Sequence, residues 1–121
     1  MTTPYSWTPV LGVTDLDRSV AFYRDVLGFS ECSTYADEAG TPSVMLAWGP
    51  ASLLLSTGDH LGRPPRFTGT LYLKVEGVES LFEKVKDLVE VVWPVEEMSY
   101  GTREFGIRDP DGYVLAFAED A

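Results

Sequence analysis

The stretch that decides the fold runs from Val10 to Phe29 and reads VLGVTDLDRSVAFYRDVLGF. Its start predicts a short strand over 7–13, in which Pro9 lies near the beginning, where a missing backbone donor is tolerated. The Thr-x-x-Asp pattern at 14–17 is typical of a helix N-terminus. Apolar side chains then recur at helical spacing, at Leu16, Val20, Tyr23 and Leu27. Gly28 predicts the end of that helix.

Three strands are predicted to follow, over 30–36, 43–48 and 51–56, the last two joined by a tight Gly49-Pro50 turn. After a stretch rich in glycine and proline, the pattern begins again with a strand over 69–75. The next helix is predicted from one apolar face, formed by Val78, Leu81, Phe82, Val85, Leu88 and Val89.

Three more strands complete the second half. The first is predicted over 90–95, ending near Pro94, and the other two over 102–108 and 113–118. The tetrad 109–112, Asp-Pro-Asp-Gly, favours a type I turn with Gly112 left-handed, which gives a three-residue loop. The order strand–helix–strand–strand–strand therefore occurs twice.

This order predicts an α+β fold of two βαβββ modules within one domain, 1–121. We place module 1 at about 1–57, a linker at about 58–67 and module 2 at about 68–121. A chain of 121 residues that is 45% hydrophobic can bury a core without disulfides or a structural metal.

The charge and the rare residues exclude several classes of protein. The net charge of −10 repels phosphate backbones and anionic lipids, so nucleic-acid and membrane-surface partners are not expected. One cysteine, Cys32, and one histidine, His60, cannot form an intrachain disulfide or a metal site of several Cys or His ligands. No apolar run approaches a membrane span and no signal peptide is apparent, so a cytoplasmic protein is expected.

Two helices cannot cover both faces of eight strands, so each sheet should keep an open face. Alternation of side chains places mostly small and mixed residues there, which suits a ligand cavity, a dimer interface or both. Glu104 falls on this face if the last hairpin has the three-residue loop, and on the other face if the loop has two residues. The candidate ligand-binding residues are Met45, Leu54, Tyr72, Trp93, Tyr100 and Glu104.

Two motifs resemble those of the vicinal oxygen chelate superfamily, which includes glyoxalase I, extradiol dioxygenases and the fosfomycin- and bleomycin-resistance proteins. They are FYRDVLGF at 22–29 and REFGIRDPDG at 103–112. The resemblance covers essentially the whole chain. It implies paired βαβββ modules that form a cupped, largely antiparallel sheet, with the helices on the outer face, in a homodimer.

The resemblance also implies where a metal would be bound in family enzymes. Those positions correspond here to Thr8, about Leu54, Thr70 and Ala116. Divalent cations need carboxylate or imidazole donors, which this set lacks, so we expect no metal ligands, no catalytic residues and no cofactor.

The chain looks most similar to the metal-free bleomycin-resistance proteins. Their drug-stacking aromatics correspond to Tyr72 and, with one inserted residue, Tyr100, whereas two of their phenylalanines correspond to Ser33 and Glu38. We therefore expect a binding protein that sequesters a planar or cationic, antibiotic-like ligand in a cavity at a homodimer interface. The alternatives are a divergent glyoxalase- or dioxygenase-like enzyme and an interaction module whose open face is filled by a partner.

Overall fold

The computed structural model describes residue 2, residues 6–58 and residues 69–121. It divides the chain into two compact units, Met1–Pro65 and Arg66–Ala121, which we call the first and second modules. Each contains one four-stranded sheet and helical structure between its first two strands. The α+β prediction of two βαβββ modules is confirmed. The predicted linker lies, apart from its first residue, outside the described residues.

The first module follows the predicted order. Its elements are β1 (Val10–Gly12), α1 (Leu16–Ala21), a π-helical segment (Phe22–Leu27), β2 (Ser30–Ala36), β3 (Pro42–Trp48) and β4 (Ala51–Ser56). The strand order in the sheet is β1-β4-β3-β2, with β1 parallel to β4 and the other pairs antiparallel. β1 is shorter than the strand predicted over 7–13.

The first helix ends at Gly28 as the sequence predicts, but its cap is Asp15 rather than Thr14 of the Thr-x-x-Asp pattern, and its form changes midway. Asp15 caps it, since its carboxylate accepts a hydrogen bond from the Arg18 backbone N–H at 3.1 Å. The chain changes to π-helical winding after Ala21, which widens the helix without interrupting the buried apolar face. Gly28 ends the segment with φ +98°, a conformation that favours glycine.

The second module repeats the arrangement. Its elements are β5 (Thr70–Lys74), α2 (Val78–Val85), β6 (Glu90–Glu97), β7 (Thr102–Arg108) and β8 (Val114–Asp120). The strand order is β5-β8-β7-β6, and only the β5–β8 pair is parallel among its pairings.

Two sequence predictions in this module are wrong. The helix ends at Val85, and Leu88 lies in the following turn with 63% of its surface exposed, rather than on the buried helix face. β6 does not end near Pro94 but continues to Glu97. Proline is tolerated there because β6 is the edge strand of its sheet, where a backbone donor is not needed on the outer side.

The last hairpin has the predicted geometry. Gly112 has φ +89°, and the N–H of Asp109 donates to the carbonyl of Tyr113 at 2.8 Å, which leaves three residues in the loop. The resulting register pairs Phe105 with Phe117 and Glu104 with Ala118. Glu104 therefore lies on the face that the sequence assigned to it for the three-residue loop.

No helix within the described residues is long and apolar enough to cross a membrane.

Candidate functional site

The candidate site lies on the face of the second sheet that points away from α2. The helix packs on the other face, where Phe82 contacts Phe105 with ring centroids 5.1 Å apart and Phe105 stacks on Phe117 at 5.2 Å. Side chains alternate along a strand, so the neighbours of these two phenylalanines point the opposite way. We call this side the open face, and it carries Tyr72, Lys74, Trp93, Glu104, Gly106, Ala116 and Ala118.

Trp93 lies flat on the sheet at Gly106. A Cβ atom built on Gly106 would lie 2.5 Å from Cη2 and 2.6 Å from both Cζ2 and Cζ3 of Trp93. Three consecutive ring atoms at nearly equal distances place the ring face, not its edge, over the glycine. β6 is irregular on both sides of Trp93, and this irregularity turns the side chain onto the open face.

Glu104 is a buried carboxylate, with 1% of its surface exposed. It accepts a hydrogen bond from the Tyr100 hydroxyl, and the Thr102 hydroxyl lies at 3.5 Å. The Tyr100 side chain is 66% exposed, so it reaches from the β6–β7 turn over the edge of the open face. The hydrogen bond to the Glu104 carboxylate, helped by burial, raises the pKa of Tyr100 to about 12.

The positive charges of the open face already have partners. Lys74 contacts Asp120 at 2.5 Å, and Arg108 contacts Glu90 at 2.8 Å. The hydrogen bond to Asp120 is the main reason why the pKa of Lys74 is raised. Among the described residues, Glu104 forms no salt bridge, and its side-chain contacts are the hydroxyls of Tyr100 and Thr102.

Tyr72 completes the aromatic part of the site. It pairs with Ala116 across the parallel β5–β8 ladder, and Ala116 pairs in turn with Gly106, over which Trp93 lies. Tyr72 is 46% exposed, while Ala116 is fully buried.

The other two candidate residues lie in the first module. Met45 and Leu54 are direct partners in the β3–β4 ladder, and Leu54 also pairs with Val10 of β1. They point away from the buried face formed by Val44, Leu46, Leu53 and Leu55. The structure thus brings Tyr72, Trp93, Tyr100 and Glu104 to one face of the second module, and Met45 and Leu54 to the corresponding face of the first.

Sequence reasoning missed two parts of this site. It gave Gly106 no role, because only the structure shows the Trp93 ring over it. It also missed the hydrogen bond between Tyr100 and Glu104. Their spacing of four residues across a turn was the available signal.

The positions that correspond to the metal ligands of family enzymes do not carry side chains that fit a divalent metal. The Thr8 hydroxyl is hydrogen bonded to Ser52 at 2.8 Å, and the side chains of Leu54 and Ala116 have no donor atom. Within the described ranges, no group of three or more His, Cys, Asp or Glu side chains could hold a metal ion.

Two surface hollows in the second module lie away from the aromatic residues of the open face. One is lined by Lys74, Val75, Glu76, Glu119 and Asp120, and the other by Glu79, Phe82, Glu83, Pro94, Val95 and Arg103. Neither includes Tyr72, Trp93, Tyr100 or Glu104.

A fold of paired βαβββ modules with an open sheet face defines a class of proteins, and the family comparison agrees with it. Residues 8–117 match the model of the Glyoxalase/Bleomycin resistance protein/Dioxygenase superfamily. The chain belongs to this superfamily. No protein of curated function matches it.

Solved structures of similar fold cover nearly the whole chain. TnmS3, an antibiotic binding protein from Streptomyces sp. CB03234, is 20% identical with a TM-score of 0.82, covering 100% of this chain and 99% of that one. A superfamily member from Sphaerobacter thermophilus is 22% identical with a TM-score of 0.81, covering 98% of both chains. TioX from Micromonospora sp. ML1 is 20% identical with a TM-score of 0.79, covering 98% of this chain and 100% of that one. At these identities the likeness shows the fold.

Proposed function

We propose that the protein binds and sequesters a planar, cationic small molecule of antibiotic type on the open face, without a metal and without chemical conversion. The observation that carries the proposal is Glu104, a buried carboxylate with no cationic partner among the described residues. A ligand cation would supply the missing counter-charge in a site of low dielectric.

The surroundings of Glu104 support a planar ligand. Tyr72 and Tyr100 offer exposed aromatic surface, and Trp93 lies parallel to the sheet. Each stacking or cation–π contact contributes about 0.5–2 kcal/mol. Aromatic residues beside a buried carboxylate are a suitable arrangement for a flat cation, and the antibiotic-binding protein TnmS3 has the same fold.

The proposal includes a homodimer, with one ligand for each cavity at its interface. On the open side of the first sheet, Val10 and Tyr35 are about half exposed, and Met45 and Leu54 lie beside them in the ladder. These apolar side chains support a role in lining the cavity or contacting a partner subunit.

The proposal also places the protein in the cytoplasm. Cys32 is a free, exposed thiol, and such thiols are kept reduced in that compartment.

Isothermal titration calorimetry tests the proposal. We expect 9-aminoacridine, a planar cation, and bleomycin to bind with one ligand per chain, and neutral acridine at about pH 8 to bind more weakly than the aminoacridine. No heat with either cation, or equal binding of acridine and 9-aminoacridine, would overturn it.

Two further measurements test the metal-free and dimeric parts. Elemental analysis of protein purified without a histidine tag should find no stoichiometric divalent metal, and analytical ultracentrifugation should find a dimer. Stoichiometric bound metal would favour a divergent enzyme of the superfamily instead. A monomer that still binds the cation would remove the interface from the proposal.

A further inference from the structure

The Trp93 indole N–H lacks a hydrogen-bond partner although it is buried. Its Nε1 atom has essentially no exposed surface and contacts no acceptor. Among the described residues, no other side-chain nitrogen or oxygen is both buried and without a hydrogen-bond partner. Buried donors are normally paired, because an unmade hydrogen bond costs the full desolvation of the group. This donor therefore calls for an acceptor from outside the module.

The indole ring of Trp93 packs against the sheet at Gly106. The ring lies face-on over Gly106, close enough that no side chain could stand there. The irregular pairing on both sides of Trp93 turns its side chain toward Gly106 for this contact. The polar edge of the ring is thus held at the same face as Glu104, which lies two residues before Gly106 on β7.

From these positions we infer that the ligand of the open face carries a hydrogen-bond acceptor, such as a carbonyl oxygen, for the Trp93 N–H, in addition to its cationic group. This inference rests on the proposed function and narrows its ligand class. Residues 104 and 106 are about 7 Å apart along the strand, so both polar groups fit on one flat molecule of two or three fused rings.

Two matched probes test it. 9-Aminoacridine is a planar cation without an acceptor, and 9-aminoacridine-4-carboxamide adds a carbonyl oxygen to the same ring system. The wild-type protein should bind the carboxamide about three- to tenfold more tightly, the gain of one buried hydrogen bond. Trp93→Phe should lose this preference. Trp48→Phe, which alters a tryptophan packed on Phe29 in the other module, should keep it.

The indole signals in a ¹H–¹⁵N spectrum provide a second readout that does not depend on affinity. The chain has three tryptophans, so the Trp93 signal is identified by its loss in Trp93→Phe. It should move downfield with the carboxamide and much less with 9-aminoacridine.

The outcomes separate the two claims. If neither probe binds the wild-type protein, the proposed function fails and the inference fails with it. If both bind equally, or if the preference survives in Trp93→Phe, only the inference is overturned. A Trp93 signal already at its hydrogen-bonded position without any probe also overturns it, since a partner subunit or a water would then hold the N–H.

Discussion

Replacing Gly106 with alanine tests the packing of the open face most sharply. The new Cβ would lie 2.5 Å from Trp93 Cη2, whereas ordinary contact begins at 3.4 Å, so the ring must retreat by about 0.9 Å. The backbone of Gly106 is not in the left-handed region, so it accepts alanine without strain. Any loss of stability therefore comes from the Trp93 contact.

The expected magnitude follows from two opposing terms. Alanine at a compatible glycine position stabilises by about 0.4–1 kcal/mol through the unfolded state. Overpacking costs about 1–3 kcal/mol. We expect a net loss of roughly 1–2 kcal/mol in the free energy of unfolding, measured by urea denaturation followed by circular dichroism.

A double-mutant cycle with Trp93→Ala isolates the contact. Without the indole the new methyl group has room, so Gly106→Ala in the Trp93→Ala background should be neutral or stabilising by up to about 1 kcal/mol. The coupling energy should then be about 2 kcal/mol. An equal loss in both backgrounds, or no loss in the wild-type background, would refute the face-on packing of Trp93.

Three further predictions concern hydrogen bonds to carboxylates. Asp109→Ala should lower the free energy of unfolding by about 1–3 kcal/mol in urea denaturation, because the Asp109 carboxylate accepts two backbone N–H groups of its own turn. Tyr100 should ionise near pH 12 in an ultraviolet titration, and closer to its ordinary pKa in Glu104→Gln. The hydrogen bond from Tyr100 to Glu104 therefore stabilises the fold below about pH 10, and this stabilisation is lost as the pH rises toward 12. The Glu119 carboxylate accepts hydrogen bonds from the backbone N–H groups of Gly77 and Val78 at the start of α2, and these bonds lower the pKa of Glu119. Its stabilisation of the fold is therefore present above the ordinary carboxyl pKa and is lost as the pH falls through the lowered pKa. Glu119→Gln should reduce the urea midpoint at pH 7 and should reduce it less at pH 3.

Local patterns predicted most of the architecture, because turn chemistry and apolar spacing act over few residues. Gly112 is left-handed as expected, and this single turn sets the β7–β8 register, which places Glu104 on the sheet face that points away from α2. Gly28 ends the first helix for the same reason. The tight Gly49-Pro50 turn likewise sets the β3–β4 register, which pairs Met45 with Leu54.

Irregular features escaped prediction because nothing in residue spacing encodes them. The orientation of Trp93 depends on irregular pairing on both sides of it in β6, which shifts the alternation by an unforeseen step. Leu88 continues the apolar period of α2, yet the helix ends three residues earlier and leaves it exposed. The π-helical winding after Ala21 preserves the apolar face, so the sequence pattern does not distinguish it from an α-helix.

The measurement that tests the central claim most directly is the dissociation constant of 9-aminoacridine for wild-type protein and Glu104→Gln. Glutamine keeps the shape and an acceptor for Tyr100 but removes the charge. Glu83→Gln is the matched control, since Glu83 is an exposed glutamate on α2, which packs on the other face of the sheet. We expect Glu104→Gln to weaken binding of the cation by about ten- to a hundredfold and Glu83→Gln by less than about threefold. Unchanged binding in Glu104→Gln, or equal effects of the two substitutions, would contradict Glu104 as the anionic anchor of the site.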